Sequence, residues 1–106
     1  MDTTATARQR TRSFDRILLK NGDTLSRHLQ TKTFTLPISY GTFHLETPQI
    51  AYIDFDARGK NLDVLVFRFG DRLSGEVEVE SVEFMMKARE RVRFDGETIK
   101  KITFKR

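Results

Sequence analysis

Asn21-Gly22-Asp23-Thr24-Leu25-Ser26 and Phe69-Gly70-Asp71-Arg72-Leu73-Ser74 are two versions of one stretch, 48 residues apart. The match extends outward from both. Asp15 falls on Asp63, Leu29 on Val77, Phe34 on Val82 and Leu36 on Phe84. One added residue moves the offset to 49, and Ile50, Ile53 and Phe55 then fall on Ile99, Ile102 and Phe104. Few pairs are identical, yet both the turn residues and the apolar spacing recur. Two copies of one supersecondary unit account for that. The units span 15–55 and 63–104, with Asp56-Ala57-Arg58-Gly59-Lys60-Asn61 as the loop between them.

Each unit reads as strands. Ile17-Leu18-Leu19 runs into Asn21-Gly22, whose residues both tolerate positive φ and so favour a hairpin turn. Phe34, Leu36 and Ile38 alternate with Thr33, Thr35 and Ser39, the period of a half-buried strand. Tyr40-Gly41 turns the chain, and Phe43 and Leu45 alternate again. Pro48 excludes a central-strand position. The parity change between Ile50 and Ile53 recurs between Ile99 and Ile102, which predicts a bulge kept in both copies. Phe84 to Arg91 tolerates a helix, but the repeat alignment argues for strand there. The expected fold is all-β: two pseudo-repeated five-stranded units in a small barrel or sandwich, with residues 14–106 as one domain.

The chain has 106 residues, 38% of them hydrophobic and 32% charged. Its longest apolar run, Val64-Leu65-Val66-Phe67, is far below the roughly 20 residues of a membrane span. No cysteine is present. That excludes a disulfide framework, a thiolate metal site and a cysteine nucleophile. It also suits a reducing compartment, so the cytoplasm is the expected location. Residues 1–13 carry Arg8, Arg10 and Arg12 against Asp2, half of the net charge of +4. Lacking large apolar residues after Met1, this segment reads as a flexible basic arm, disordered alone.

Catalytic constellations are scarce. Asp23 and Asp71 each follow a glycine, where aspartate completes a tight turn. As a pair they would suit a cation or acid–base chemistry, but no third oxygen ligand accompanies them. His28 and His44 would need a further ligand, such as Glu46, to hold a metal. Ser26 and Ser74 recur without a strand–turn–helix elbow. No phosphate loop or dinucleotide fingerprint is present. Neither an enzyme activity, a metal nor a cofactor is expected.

Charge patterning is more informative. Glu76, Glu78 and Glu80 alternate with Val77 and Val79, so one strand would carry three carboxylates on one face. Arg89, Arg91 and Arg93 alternate with Val92 and Phe94, so another would carry three guanidiniums. Paired within one molecule, such rows make an ordinary solvated face. On separate surfaces, they would join one copy to the next, head to tail. A second basic set comprises Arg8, Arg10, Arg12 and Arg16, with Lys100, Lys101, Lys105 and Arg106 near the C-terminus. Together with Tyr40 and Tyr52, it raises nucleic acid as an alternative partner.

Leu18-Leu19-Lys20-Asn21-Gly22 and Gly70-Asp71-Arg72-Leu73-Ser74-Gly75-Glu76-Val77 resemble the first motif of the Sm-like family: apolar strand, glycine, four residues, glycine. The resemblance implies a bent five-stranded, SH3-like barrel of the kind that closes into rings. Copy one has Arg27 where copy two keeps Gly75. The family's uridine-reading Asp and Asn fall on Ser81 and Met85 in copy two, and on Thr33 and Pro37 in copy one. The likeness therefore extends to the bent unit and not to the RNA pocket. The expectation for function is a non-enzymatic module that self-assembles through strand edges and complementary charge, as a homo-oligomer or with a protein partner. The alternative is a nucleic-acid-binding Sm-like module using the arm.

Overall fold

The computed structural model describes residues 14–86 and 89–105. The arm, residues 1–13, lies outside the described residues, as does Arg106. Ten strands follow one another: β1 Asp15–Leu19, β2 Thr24–Leu29, β3 Thr33–Ile38, β4 Gly41–Glu46, β5 Ile50–Asp54, β6 Asp63–Phe67, β7 Arg72–Gly75, β8 Ser81–Met85, β9 Arg91–Asp95 and β10 Ile99–Thr103. The fold is all-β, five strands per unit. Even the short 3-10 turns recur: Thr47–Gln49, which takes up Pro48, and Gly96–Thr98.

Eight strands form one antiparallel sheet in the order β7-β6-β5-β10-β1-β2-β8-β9, and β3 with β4 forms a separate hairpin. A single antiparallel bridge, Thr35 with Glu78, connects that hairpin to the end of β7. The ten-strand order is thus β4-β3-β7-β6-β5-β10-β1-β2-β8-β9. It reads the same from either end once the units are exchanged. The pseudo-two-fold runs through the facing pair Ile53–Ile102, residues that are themselves equivalent. The matching β1–β10 pair Ile17–Ile102 is the image of the β6–β5 pair Leu65–Ile53.

Turns and bulges obey the same symmetry. Gly22 N donates to Leu19 O, and Gly70 N to Phe67 O. The two glycines stand at φ 100° and 103°, where a side chain would be strained. The expected bulge is present in both units. Pairing skips Lys100 between Leu18 and Leu19, and skips Ala51 between Ile50 and Tyr52. That extra residue re-aims Ile50 and Ile99 into the core.

The core contains equivalent residues from both units: Ile17 and Leu65, Leu29 and Val77, Phe34 and Val82, Leu36 and Phe84, Ile50 and Ile99, Phe55 and Phe104. The units share one core because each exports a hairpin. β3–β4 of unit one meets the end of β7, and β8–β9 of unit two extends β2. Gln30 N donates to Glu83 O in one crossing, and Glu78 N to Thr35 O in its image.

The crossings differ in length. Met85 of β8 pairs with His28 of β2. The equivalent position in β3 is Pro37, which has no amide to give to the chain near Glu76. Pairing there stops at the single Thr35–Glu78 bridge. Pro37 is tolerated within its own hairpin because it faces Thr42 in a pair that needs no Pro37 amide.

Candidate functional site

Asp15 and Asp63 are the two buried acids of the described structure, each 4% exposed. Asp15 Oδ2 accepts from Leu29 N at 2.8 Å, and Oδ1 from Lys105 N at 2.7 Å. Asp63 Oδ2 accepts from Val77 N at 2.8 Å, and Oδ1 from Asp56 N at 2.8 Å. Each carboxylate clasps the chain leaving its hairpin strand to the chain leaving the central pair. Their lone pairs satisfy backbone amides that the strand ladders leave over. They are structural acids. The sequence aligned them without giving them a role; their recurrence at the repeat offset was the available signal.

Beside each clasp lies a cleft. The cleft at Asp15 encloses about 490 Å³ and is lined by Leu29, Lys32, Thr33, Glu46, Thr47, Pro48, Phe104 and Lys105. The cleft at Asp63 encloses about 220 Å³, with Lys20, Phe55, Asp56, Asn61, Glu76, Val77, Glu78, Val79 and Glu97 among its lining residues. The two share equivalent lining positions but differ in charge: the first balances Lys32 and Lys105 against Asp15 and Glu46, and the second is predominantly acidic. Where the first has Lys105 and Pro48, the second has Asp56 and Glu97. Asp56 is held below the ordinary carboxylate pKa of 3.8, first by the Asn61 amide and then by the Lys20 ammonium. Those contacts measure 2.7 and 3.1 Å.

The predicted acidic row needs one correction. Glu76, Glu78 and Glu80 are all exposed, and Val77 between them is buried, so the alternation holds. They do not belong to a strand, however. β7 ends at Gly75, and 76–80 is an extended connection with one bridge, at Glu78. Chain exchange explains the difference: the segment must cross from one unit to the other. Gly96 makes the crossing close, since a Cβ there would overlap the Val79 carbonyl.

The basic row divides. Arg91 and Arg93 lie exposed on β9, while Arg89 precedes the strand at φ 64°. Among the described residues, the carboxylate that answers them is Glu83 on β8, at 3.8 Å from Arg91 and 3.9 Å from Arg93. Glu76, Glu78 and Glu80 form no ion pair with them. Cross-strand pairing between the two rows is therefore not what the structure has. Glu83 was missed because its strand had no charge pattern.

The other candidates scatter. Arg8, Arg10 and Arg12 lie outside the described residues. Arg16 faces Thr103, and Lys101 faces Leu18, on the outer face of the sheet. Lys101 Nζ sits 4.4 Å over the Tyr52 ring. Lys100, the bulge residue, is tied to Asp54 Oδ1 at 2.6 Å and to Phe55 O at 3.0 Å. Lys105 lies by the Asp15 clasp instead. Asp23 closes its turn, its own amide donating to Asn21 Oδ1 at 2.9 Å. His28 and His44 do not meet on neighbouring strands: β2 lies between β1 and β8, and β4 pairs with β3. His28 packs at 4.7 Å from Phe14 instead. Among the described residues, no three His, Asp or Glu side chains converge as a metal ion would require.

Two features remain unanswered among the described residues. There, β9 ends the eight-stranded sheet, and β4 has a ladder partner only in β3. These are equivalent strands at the two ends of the ten-strand order. Each presents unpaired backbone groups, which recruit further strands unless blocked. β4 carries the exposed Phe43 and ends in Glu46; β9 carries Arg91 and Arg93.

Comparison with protein-family models, curated proteins and solved structures finds no match for the chain. Among the described residues, no helix is long and apolar enough to cross a membrane.

Proposed function

We propose that this protein is a non-enzymatic structural module that assembles with copies of itself through its strand edges and complementary charge. The observation that carries the proposal is the pair of open, pseudo-equivalent edges, β4 and β9. Bonds made at such edges are main-chain bonds, so they need no specialised pocket. Charge then restricts which edges meet. Arg91 and Arg93 share one carboxylate at one end of the strand order. The exposed acids Glu76, Glu78 and Glu80 form a separate surface. A cysteine-free chain suits such an assembly in the cytoplasm.

Solution mass tests this. Light scattering after gel filtration at low and high salt is expected to show a species well above the 12.4 kDa chain. That species should dissociate as salt rises, because exposed charges are screened. The double variant Arg91→Glu/Arg93→Glu is expected to be monomeric with an unchanged far-UV spectrum. A monomer at both salt concentrations, or a fully assembled double variant, overturns the proposal. Should the protein be monomeric, binding to single-stranded nucleic acid across Arg16, Lys101 and Tyr52 is the next assay.

A further inference from the structure

Self-assembly through edges leaves three possible contacts: β4 with β4, β9 with β9, or β4 with β9. We infer that β4 of one copy adds antiparallel to β9 of a second, with Glu46 opposite Arg91, His44 opposite Arg93 and Thr42 opposite Asp95. This rests on the self-assembly reading and names its interface.

The hydrogen-bond phase comes first. Thr47 N donates to Lys32 O at the base of one hairpin, and Met86 N to Glu90 O near the tip of the other. Bonded and non-bonded pairs alternate along an antiparallel ladder. Counting along the two registers, the amides and carbonyls of Thr42, His44 and Glu46 point away from β3. Those of Arg91, Arg93 and Asp95 point away from β8. Each edge offers three such residues at the same spacing. The central pair, His44 with Arg93, can exchange two backbone hydrogen bonds, and each outer pair one, because the Glu46 and Asp95 carbonyls already accept within the 3-10 turns that follow them.

Charge and apolar cover then select among the contacts. Near Arg91 and Arg93, one Glu83 carboxylate answers two guanidiniums. Full overlap of β9 on β9 pairs Arg91 with Asp95 twice, but it sets Arg93 against Arg93 and leaves Phe43 uncovered. β4 on β4 sets Glu46 against Thr42 and leaves the arginines unanswered. β4 on β9 places Glu46 on Arg91, and opposite charges across strands stabilise whereas like charges do not. The same register puts Phe43 beside Phe94 and Leu45 beside Val92 on the other face. Phe43 is 38% exposed in the single chain, so this contact covers it. Because the two edges differ, each added copy leaves one edge free, and growth continues until a ring closes or a filament forms.

The chain has no cysteine, so introduced thiols are unique probes. His44→Cys and Arg93→Cys are made separately, one of them carrying a tag that enlarges it, then mixed and oxidised. Facing Cα atoms in a bonded antiparallel pair lie about 5.5 Å apart, within disulfide reach. A disulfide-linked dimer containing one copy of each variant is expected from the mixture, and none from either variant alone. Cross-linking of either variant by itself, as strongly as the mixture, overturns the inference. Light scattering on the unaltered protein separates the two levels. An assembled protein whose mixed variants do not cross-link overturns this interface and keeps self-assembly; a monomer overturns both. As a second check, Glu46→Arg and Arg91→Glu should each weaken association at least tenfold, and a one-to-one mixture of the two should recover it, because in alternation every β4 edge then meets an opposite charge on the next β9 edge. The chain carrying both changes should recover association. Failure to recover it overturns the pairing.

Discussion

The two hairpins, β3–β4 and β8–β9, are the same element twice, yet one is a full member of the sheet and the other is held by a single bridge. The difference comes down to a few positions. Met85 offers an amide toward β2, and Pro37 has none to offer toward Glu76. Gly75 lets the Leu36 side chain settle close, since a Cβ at 75 would come within 3.0 Å of Leu36 Cδ1. The equivalent position, Arg27, carries a long side chain instead. Unit two therefore docks its hairpin by backbone pairing, and unit one docks its hairpin by packing. A repeat can keep its symmetry in the core while its periphery diverges, because buried apolar positions are constrained by volume and edge positions only by hydrogen bonding.

The strongest way to break the comparison is at the clasps. Asp63→Ala leaves the buried amide of Val77 and the part-buried amide of Asp56 without acceptors. A buried unsatisfied donor costs about 1–3 kcal/mol, so the loss should be about 3 kcal/mol. That corresponds to a fall in Tm on the order of 10–20 °C. Asp15→Ala should cost about the same, because it too serves one buried amide, Leu29 N, and one part-buried amide, Lys105 N. Clearly unequal losses, measured by chemical denaturation, would show that the two clasps are not energetically equivalent.

The next test turns one hairpin into the other. Met85→Pro removes the amide that faces β2, as Pro37 does naturally in unit one. Loss of that ladder bond to His28 should cost about 0.5–1.5 kcal/mol. Hydrogen exchange should accelerate at Arg91–Asp95 as the hairpin loosens, while β5 and β10 stay protected. Uniform acceleration across the sheet would mean that the hairpin and the central strands open as one unit.

Much of this was legible in the residues. The Gly-Asp turns fixed the offset, and the offset carried the strand count, the bulges at Ala51 and Lys100, and the core positions. What stayed hidden was the exchange of hairpins. Alternation along Phe34-Thr35-Leu36 says which face is buried but not against which strand, since the partner's side chains are equally apolar in either arrangement. The same ambiguity made Glu76–Glu80 look like a ladder strand: an extended crossing segment alternates just as a strand does. Arg91 and Arg93 were visible as a row. Their partner Glu83 was not, because one carboxylate amid Val82 and Phe84 makes no pattern.

The smallest effect separates the two clefts by pH. Asp56 accepts bonds from Asn61 N and Lys20 Nζ, which hold its pKa below 3.8 in the folded chain. The equivalent residue by the other clasp is Lys105, which has no carboxyl to titrate there. A carboxyl with a depressed folded pKa contributes stability that is fully present above its unfolded value and is lost as pH falls through the folded one. Below about pH 4, then, the loop 56–61 should loosen at the acidic cleft, with no counterpart from Lys105 at the other. The contribution belongs to a partly exposed ion pair and loop contact, a class worth about 0.2–1 kcal/mol. Asp56→Asn should lower Tm slightly at pH 7, and the gap from the parent protein should close as pH falls below 4. A gap that stays constant down to pH 2 would show that Asp56 acts through the neutral hydrogen bond to Asn61 alone. The charge difference between the clefts would then have no energetic consequence for the fold and would matter only for what each cleft meets.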